Sequence, residues 1–110
     1  MEQTGIRWTE RDRTGHAIYL TQERWTHIID AFNHPEMAAC EAALRETIRT
    51  GSRRQDVLNP QKYRYSQPFP ALPADNTHVV AVVTFRFQAT ATGALVPNNS
   101  IVTAYLKTVG

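Results

Sequence analysis

THVVAVVTFRFQ, residues 77–88, decides the fold. Its density of β-branched and aromatic residues reads as a strand. Side chains alternate across a strand, which puts Val79, Ala81, Val83, Phe85 and Phe87 on one face and His78, Val80, Val82, Thr84 and Arg86 on the other. The first set belongs to a core. IVTAYLK, residues 101–107, sorts in the same way: Val102, Ala104 and Leu106 turn inward, and Thr103, Tyr105 and Lys107 turn out. KYRYS, residues 62–66, adds a third strand, and if Tyr63 and Tyr65 pack inward, Arg64 joins the polar face. One side of the predicted sheet is therefore apolar, and the other collects hydroxyl, phenol and cationic groups.

Working outward, QDVL reads as a further strand ahead of these, and the proline-rich QPFPALPADN separates the short strand from the long one as a turn or flap, since its prolines exclude a central strand. ATGALVPNN supplies the last hairpin connection. Toward the N-terminus, Ile6 to Glu10 and His16 to Leu20 flank RDRTG, whose Gly15 can take the positive φ of a tight turn, so a hairpin is expected. Thr21 then stands as an N-cap, and Trp25, Ile28, Ile29 and Phe32 follow at helical spacing, predicting a helix over residues 22–32. Pro35 disfavours helical geometry at His34 and suits the first turn of a second helix. That helix buries Met37, Cys40, Leu44 and Ile48 and ends at Gly51. The predicted class is α+β, with two N-terminal helices packed on one face of a mostly antiparallel sheet and the other face open to a ligand.

The 110 residues fit a single domain, 1–110, with 42% hydrophobic content for one core. Lone Cys40 supports neither a disulfide nor a zinc cluster, in keeping with a reducing cytoplasm. No apolar run reaches the length of a membrane span, and MEQTGIRWTERDR lacks the apolar h-region of a secretory signal, so neither export nor a membrane partner is expected. A formal charge of +2 says little about a polyanionic partner. Two arginine groups say more: Arg7, Arg11 and Arg13, and Arg45, Arg49, Arg53 and Arg54. Either could meet phosphates or an acidic protein, and either could be solvated surface. Phosphate-loop and dinucleotide glycine patterns are missing, and no ligand spacing for zinc repeats, so no cofactor and no metal are expected.

Taken in order, YLTQERWTHIIDAFNHPEM, the segment RRQDVL, KYRYS, the valine-rich strand and IVTAYLK resemble the phage-associated nuclease domains of the barnase/EndoU/colicin/RelE superfamily over roughly residues 18–107. The resemblance implies a RelE-like frame and a metal-independent endoribonuclease, often deployed as a toxin, with RNA on the open sheet face. It maps His27 to the helix histidine of that family, His34 with Pro35 and Glu36 to its second motif, and Thr103 with Tyr105 to its terminal strand. Arg64 stands where the family's strand is more often aromatic, and Asn33 replaces a residue that is commonly basic.

Metal-independent RNA cleavage uses one group to take the 2′-OH proton, another to protonate the departing 5′ oxygen, and cations to hold the phosphate. Histidine suits the proton transfers and arginine the phosphate. The expected catalytic set is thus His27, His34, Arg64, Thr103 and Tyr105, with Arg86, Thr84, Lys107 and Tyr65 binding substrate. His27 falls away from the stripe of Trp25, Ile28, Ile29 and Phe32, so it meets the sheet face only if its helix sits at a sheet edge. The expected partners are RNA and a cognate antitoxin or immunity protein. The alternative is a non-catalytic RNA- or protein-binding module of phage origin, acting alone or within a larger assembly.

Overall fold

The computed structural model describes residues 5–109. The chain opens with a hairpin, β1 (Ile6–Arg11) and β2 (Ala17–Thr21), followed by α1 (Gln22–Ile28), a 3₁₀ segment (Pro35–Ala39) and α2 (Glu41–Thr50). Strands β3 (Ser52–Gln55), β4 (Lys62–Pro68) and β5 (His78–Thr84) come next. A small hairpin, β6 (Phe87–Ala89) and β7 (Leu95–Pro97), precedes β8 (Asn99–Lys107). Six strands form one sheet in the order β1-β2-β8-β5-β4-β3, and β6 pairs only with β7. Every pairing in the large sheet is antiparallel except β2 with β8. Among the described residues no helix is long and apolar enough to cross a membrane.

The expected frame, two N-terminal helices laid over a sheet in the RelE manner, does not form. A hairpin that belongs to the main sheet comes first, and the described residues form a sheet-dominated α+β fold of eight strands and two α-helices. The first helix is also shorter than predicted. Ile29 caps it, Asp30 Oδ1 accepts from the Phe32 amide, and Phe32, expected in the buried stripe, is 99% exposed. An aspartate that offers its own backbone a turn competes with helix propagation, and Pro35 blocks resumption. Met37 and Cys40 are buried ahead of α2 rather than in it, and Leu44, Thr47 and Ile48 form its buried side.

Two strand boundaries also differ from expectation. Asp56 Oδ1 accepts from the Leu58 and Asn59 amides, so QDVL turns instead of extending, and Val57 and Leu58 project into solvent. The long strand stops at Thr84, and Phe87 lies exposed on the β6–β7 arm. In β8 a bulge between the Val82–Thr103 and Val83–Ile101 pairs makes Ile101 the core residue where Val102 was expected. Beyond the bulge the alternation holds: Ala104 is buried opposite Ala81, and Thr103 and Tyr105 sit on the other face opposite Val82 and Val80.

The hairpin is tied to the rest by charge. Arg7 pairs with Glu41, whose Oε2 also accepts from Trp8 Nε1 at 2.8 Å, and Glu10 Oε2 meets Arg45 Nε at 2.6 Å and Arg49 at 3.0 Å. These three arginines therefore hold structure rather than phosphate. Deeper still, Asp12 is buried in the β1–β2 turn, and its Oδ2 accepts from Tyr65 Oη on β4 at 2.6 Å. Burial raises the Asp12 pKa, but hydrogen bonds from Tyr65, the His16 amide and Thr14 outweigh it and bring the carboxyl down from 3.8 to about 2.

Two predictions concern stability. Gly51 has no positive φ, yet a Cβ there would lie 2.5 Å from Thr47 O and 2.9 Å from Ser66 O, so the α2–β3 junction admits no side chain. Gly51→Ala is expected to cost about 1–3 kcal/mol in urea unfolding. Asp12→Asn removes a charged acceptor from buried Tyr65 and is expected to cost about 1–3 kcal/mol near neutral pH. Because the folded pKa lies below the unfolded one, the carboxylate's contribution is complete above the unfolded value near 4 and fades as pH falls toward about 2. The stability gap between wild type and Asp12→Asn should narrow over that interval.

Candidate functional site

Among the described residues no helix covers the sheet face that carries Val80 and Val82, yet those valines are only 3% and 6% exposed. The polar side chains around them provide the cover. Register lines up Arg54, Arg64, Val82 and Thr103 in one row across β3, β4, β5 and β8, and Ser52, Ser66, Val80 and Tyr105 in the next. Arginine stems and the tyrosine ring lie along apolar surface while their polar ends stay wet. The result is a concave site of about 380 Å³ bordered by Arg54, Arg64, Ser66, Val80, Tyr105 and Lys107, with Ser52 and Arg53 at its β3 side.

Within it, Tyr105 is flanked on two sides. The His34 ring, from the segment between α1 and the first 3₁₀ turn, lies 5.8 Å from the Tyr105 ring at a 34° tilt. Pro35 breaks the helical run, and that break brings His34 to β8. His34 Nδ1 is 3.6 Å from Glu36 Oε2. On the other side, Arg64 Nη1 donates to Asp56 Oδ2 at 2.8 Å. Asp56 first, and then the Tyr105 phenol, raise the Arg64 guanidinium above its ordinary pKa. The same arginine, with the Leu58 and Asn59 amides, lowers Asp56 from 3.8 to about 2. Arg64 thus stays charged and fixed in direction. The QDVL turn that displaced a predicted strand is what supplies Asp56 to anchor it.

Of the residues expected at a site, Arg64, Thr103, Tyr105 and Lys107 share this face and His34 reaches its edge. The other four do not border the concavity. His27 is exposed beside Thr21, Arg24 and Asp30. Thr84 continues the same face one step beyond Val82, opposite Lys62, but is only 7% exposed, and Tyr65 is buried against Asp12 on the core side. Arg86 lies past the end of β5, in a different cleft. Arg54 and Asp56 were not expected at the site. Arg54 alternates with Arg53 on β3 and so faces the ligand side, a period-2 signal present in SRRQ but readable only once that segment is known to be a strand.

Comparison with known proteins finds no matching family model, no matching curated protein and no matching solved structure. The nuclease resemblance rests on the sequence motifs alone.

If Tyr105 covers the sheet as described, truncation and deletion of the hydroxyl should differ. Tyr105→Ala bares Val80 and is expected to lower stability by about 1–3 kcal/mol, whereas Tyr105→Phe keeps the ring and should stay within about 1 kcal/mol of wild type in thermal melts.

Proposed function

We propose that the protein is a metal-independent endoribonuclease whose site is the Tyr105 patch. One observation carries the reading: a phenol held between a histidine and an anchored arginine in a basic, partly desolvated concavity. Arg64, Arg54 and Lys107 bind the scissile phosphate, with Arg64 offering a planar fork already oriented by Asp56. His34, steadied by Glu36, takes the proton of the ribose 2′-OH. The 2′ oxygen attacks phosphorus, and the Tyr105 phenol beside Arg64 protonates the departing 5′ oxygen. The products are a 2′,3′-cyclic phosphate and a 5′-hydroxyl. Thr103 offers a hydroxyl to a neighbouring phosphate. The motif likeness to phage-associated nucleases supports the same chemistry, along with action in the cytoplasm as a toxin. An antitoxin or immunity protein with an acidic surface fits the rim formed by Arg54, Arg64 and Lys107.

The second reading, an RNA-binding module without catalysis, is favoured by one observation: His27 and His34, the two imidazoles expected to share the proton transfers, do not converge at the patch. One experiment separates the two. Purified protein is incubated with total RNA in EDTA, and fragment ends are analysed. Cleavage with cyclic phosphate ends is expected. His34→Ala should lower the rate by about 10²–10⁴-fold. Tyr105→Phe should slow it at least tenfold, and His27→Ala should leave it unchanged. RNA bound but uncut by wild type, or cut at the wild-type rate by His34→Ala and Tyr105→Phe, overturns the nuclease assignment.

A further inference from the structure

A second cleft, of about 530 Å³, opens on the core side of the sheet; Arg53 borders both it and the Tyr105 concavity, and its other side chains lie outside that patch. It is bordered by His16 from the β1–β2 turn, Arg53 from β3, Tyr63 from β4, and Phe85, Arg86 and Phe87 between β5 and the arm. Register places it on the opposite face from Arg64, since Tyr63 pairs with core residue Val83 and Arg53 with Tyr65.

Its electrostatics are those of an anion site. The Arg53 guanidinium lies 4.5 Å from the Tyr63 ring centroid and 5.5 Å from that of Phe85, which fixes its plane. Arg86 is exposed and has no carboxylate partner among the described residues. The nearest acid, Asp12, is already occupied by Tyr65, Thr14 and the His16 amide, with Arg53 Nη1 at 3.8 Å. Beside these cations stands Phe87, 70% exposed. An acidic peptide would need the arginines but not the aromatic ring. A polynucleotide uses both, with phosphate on guanidinium and base on ring.

His16 adds a third element. Its Nδ1 lies 2.7 Å from Thr14 Oγ1 and 3.2 Å from Asp12 Oδ2. The Thr14 hydroxyl donates its own proton to Asp12 Oδ1 at 2.9 Å, so the hydrogen on this side of the ring belongs to Nδ1. In the neutral imidazole, Nε2 is then the acceptor, and it has no protein partner among the described residues. An acceptor bordering the same cleft as two arginines suits the ribose 2′-OH, the group that distinguishes RNA from DNA.

We infer that this cleft is a second, non-catalytic ribonucleotide-binding site, with Arg53 and Arg86 on phosphate, Phe87 stacked on a base and His16 Nε2 accepting from the 2′-OH. The choice of RNA as ligand rests on the nuclease reading; the cleft and its chemistry do not.

The test uses fluorescein-labelled single-stranded RNA and DNA hexamers of matched sequence, measured by anisotropy on a His34→Ala background that keeps the RNA intact. Arg86→Ala and Phe87→Ala alter exposed residues and should each weaken RNA binding about five- to tenfold. His16→Ala should bring RNA affinity to the DNA level. RNA affinity within twofold of the parent in both Arg86→Ala and Phe87→Ala overturns the site, as does an RNA preference undiminished in His16→Ala. Loss of binding in Arg64→Ala alone likewise overturns the cleft and leaves the nuclease reading intact. Loss in Arg86→Ala with a wild-type protein that cuts no RNA upholds the cleft and removes the nuclease.

Discussion

The structure depends on burying β5 from both sides. His78–Thr84 pairs along its length with β4 and β8, and every residue from Val79 to Thr84 is buried. A strand of this kind cannot be satisfied by helices on one face alone. Val79, Ala81 and Val83 lie in the core with Leu44, Ile48 and Ile28. Val80 and Val82 face a side that no helix among the described residues covers, and they are shielded by arginine stems and a tyrosine ring. The polar face is thus obliged to be dense, and its density brings Arg64 and Tyr105 together.

The β1–β2 hairpin meets a complementary constraint. It lies at the far end of the sheet from β3 and β4, yet its turn carries Asp12 to Tyr65. A buried carboxylate is tolerated there because it accepts several hydrogen bonds, including two backbone amides, Thr14 and His16. With Glu10 holding Arg45 and Arg49, and Glu41 of α2 holding Arg7, the hairpin is fastened to α2 by ion pairs of both senses. Much of the basic character visible in the sequence is spent in this way; of the rest, Arg54, Lys107 and the Asp56-paired Arg64 gather on one face, and Arg86 and Arg53, whose Nη1 lies 3.8 Å from Asp12, border the cleft on the other.

Sequence reasoning succeeded where period-2 alternation runs unbroken and failed where a side chain bonds its own backbone. Thr103, Tyr105 and Lys107 could be assigned to one face because nothing interrupts β8 beyond its bulge, whereas Val102 was misassigned because a bulge leaves no mark in the letters. Asp30 and Asp56 ended elements that hydrophobic spacing would have continued. Phe85, Arg86 and Phe87 keep the alternation of β5 after the strand has left the sheet, so Arg86 was placed on the wrong face. Asp12 and His16 were missed altogether, because their significance comes from a tyrosine 53 residues beyond Asp12 in the chain.

Strand β8 sits between β2 and β5, and its parallel contact with β2 joins Ile18 to Asn99. Closing so long a loop carries an entropic cost that no local contact offsets beforehand. The hairpin and the β3–β4–β5 meander can each assemble from neighbours in the chain, but neither completes the sheet until β8 inserts between them. Tyr105 rides on that same strand, so the element that joins the two flanks of the sheet is also the one that sets the phenol beside Arg64.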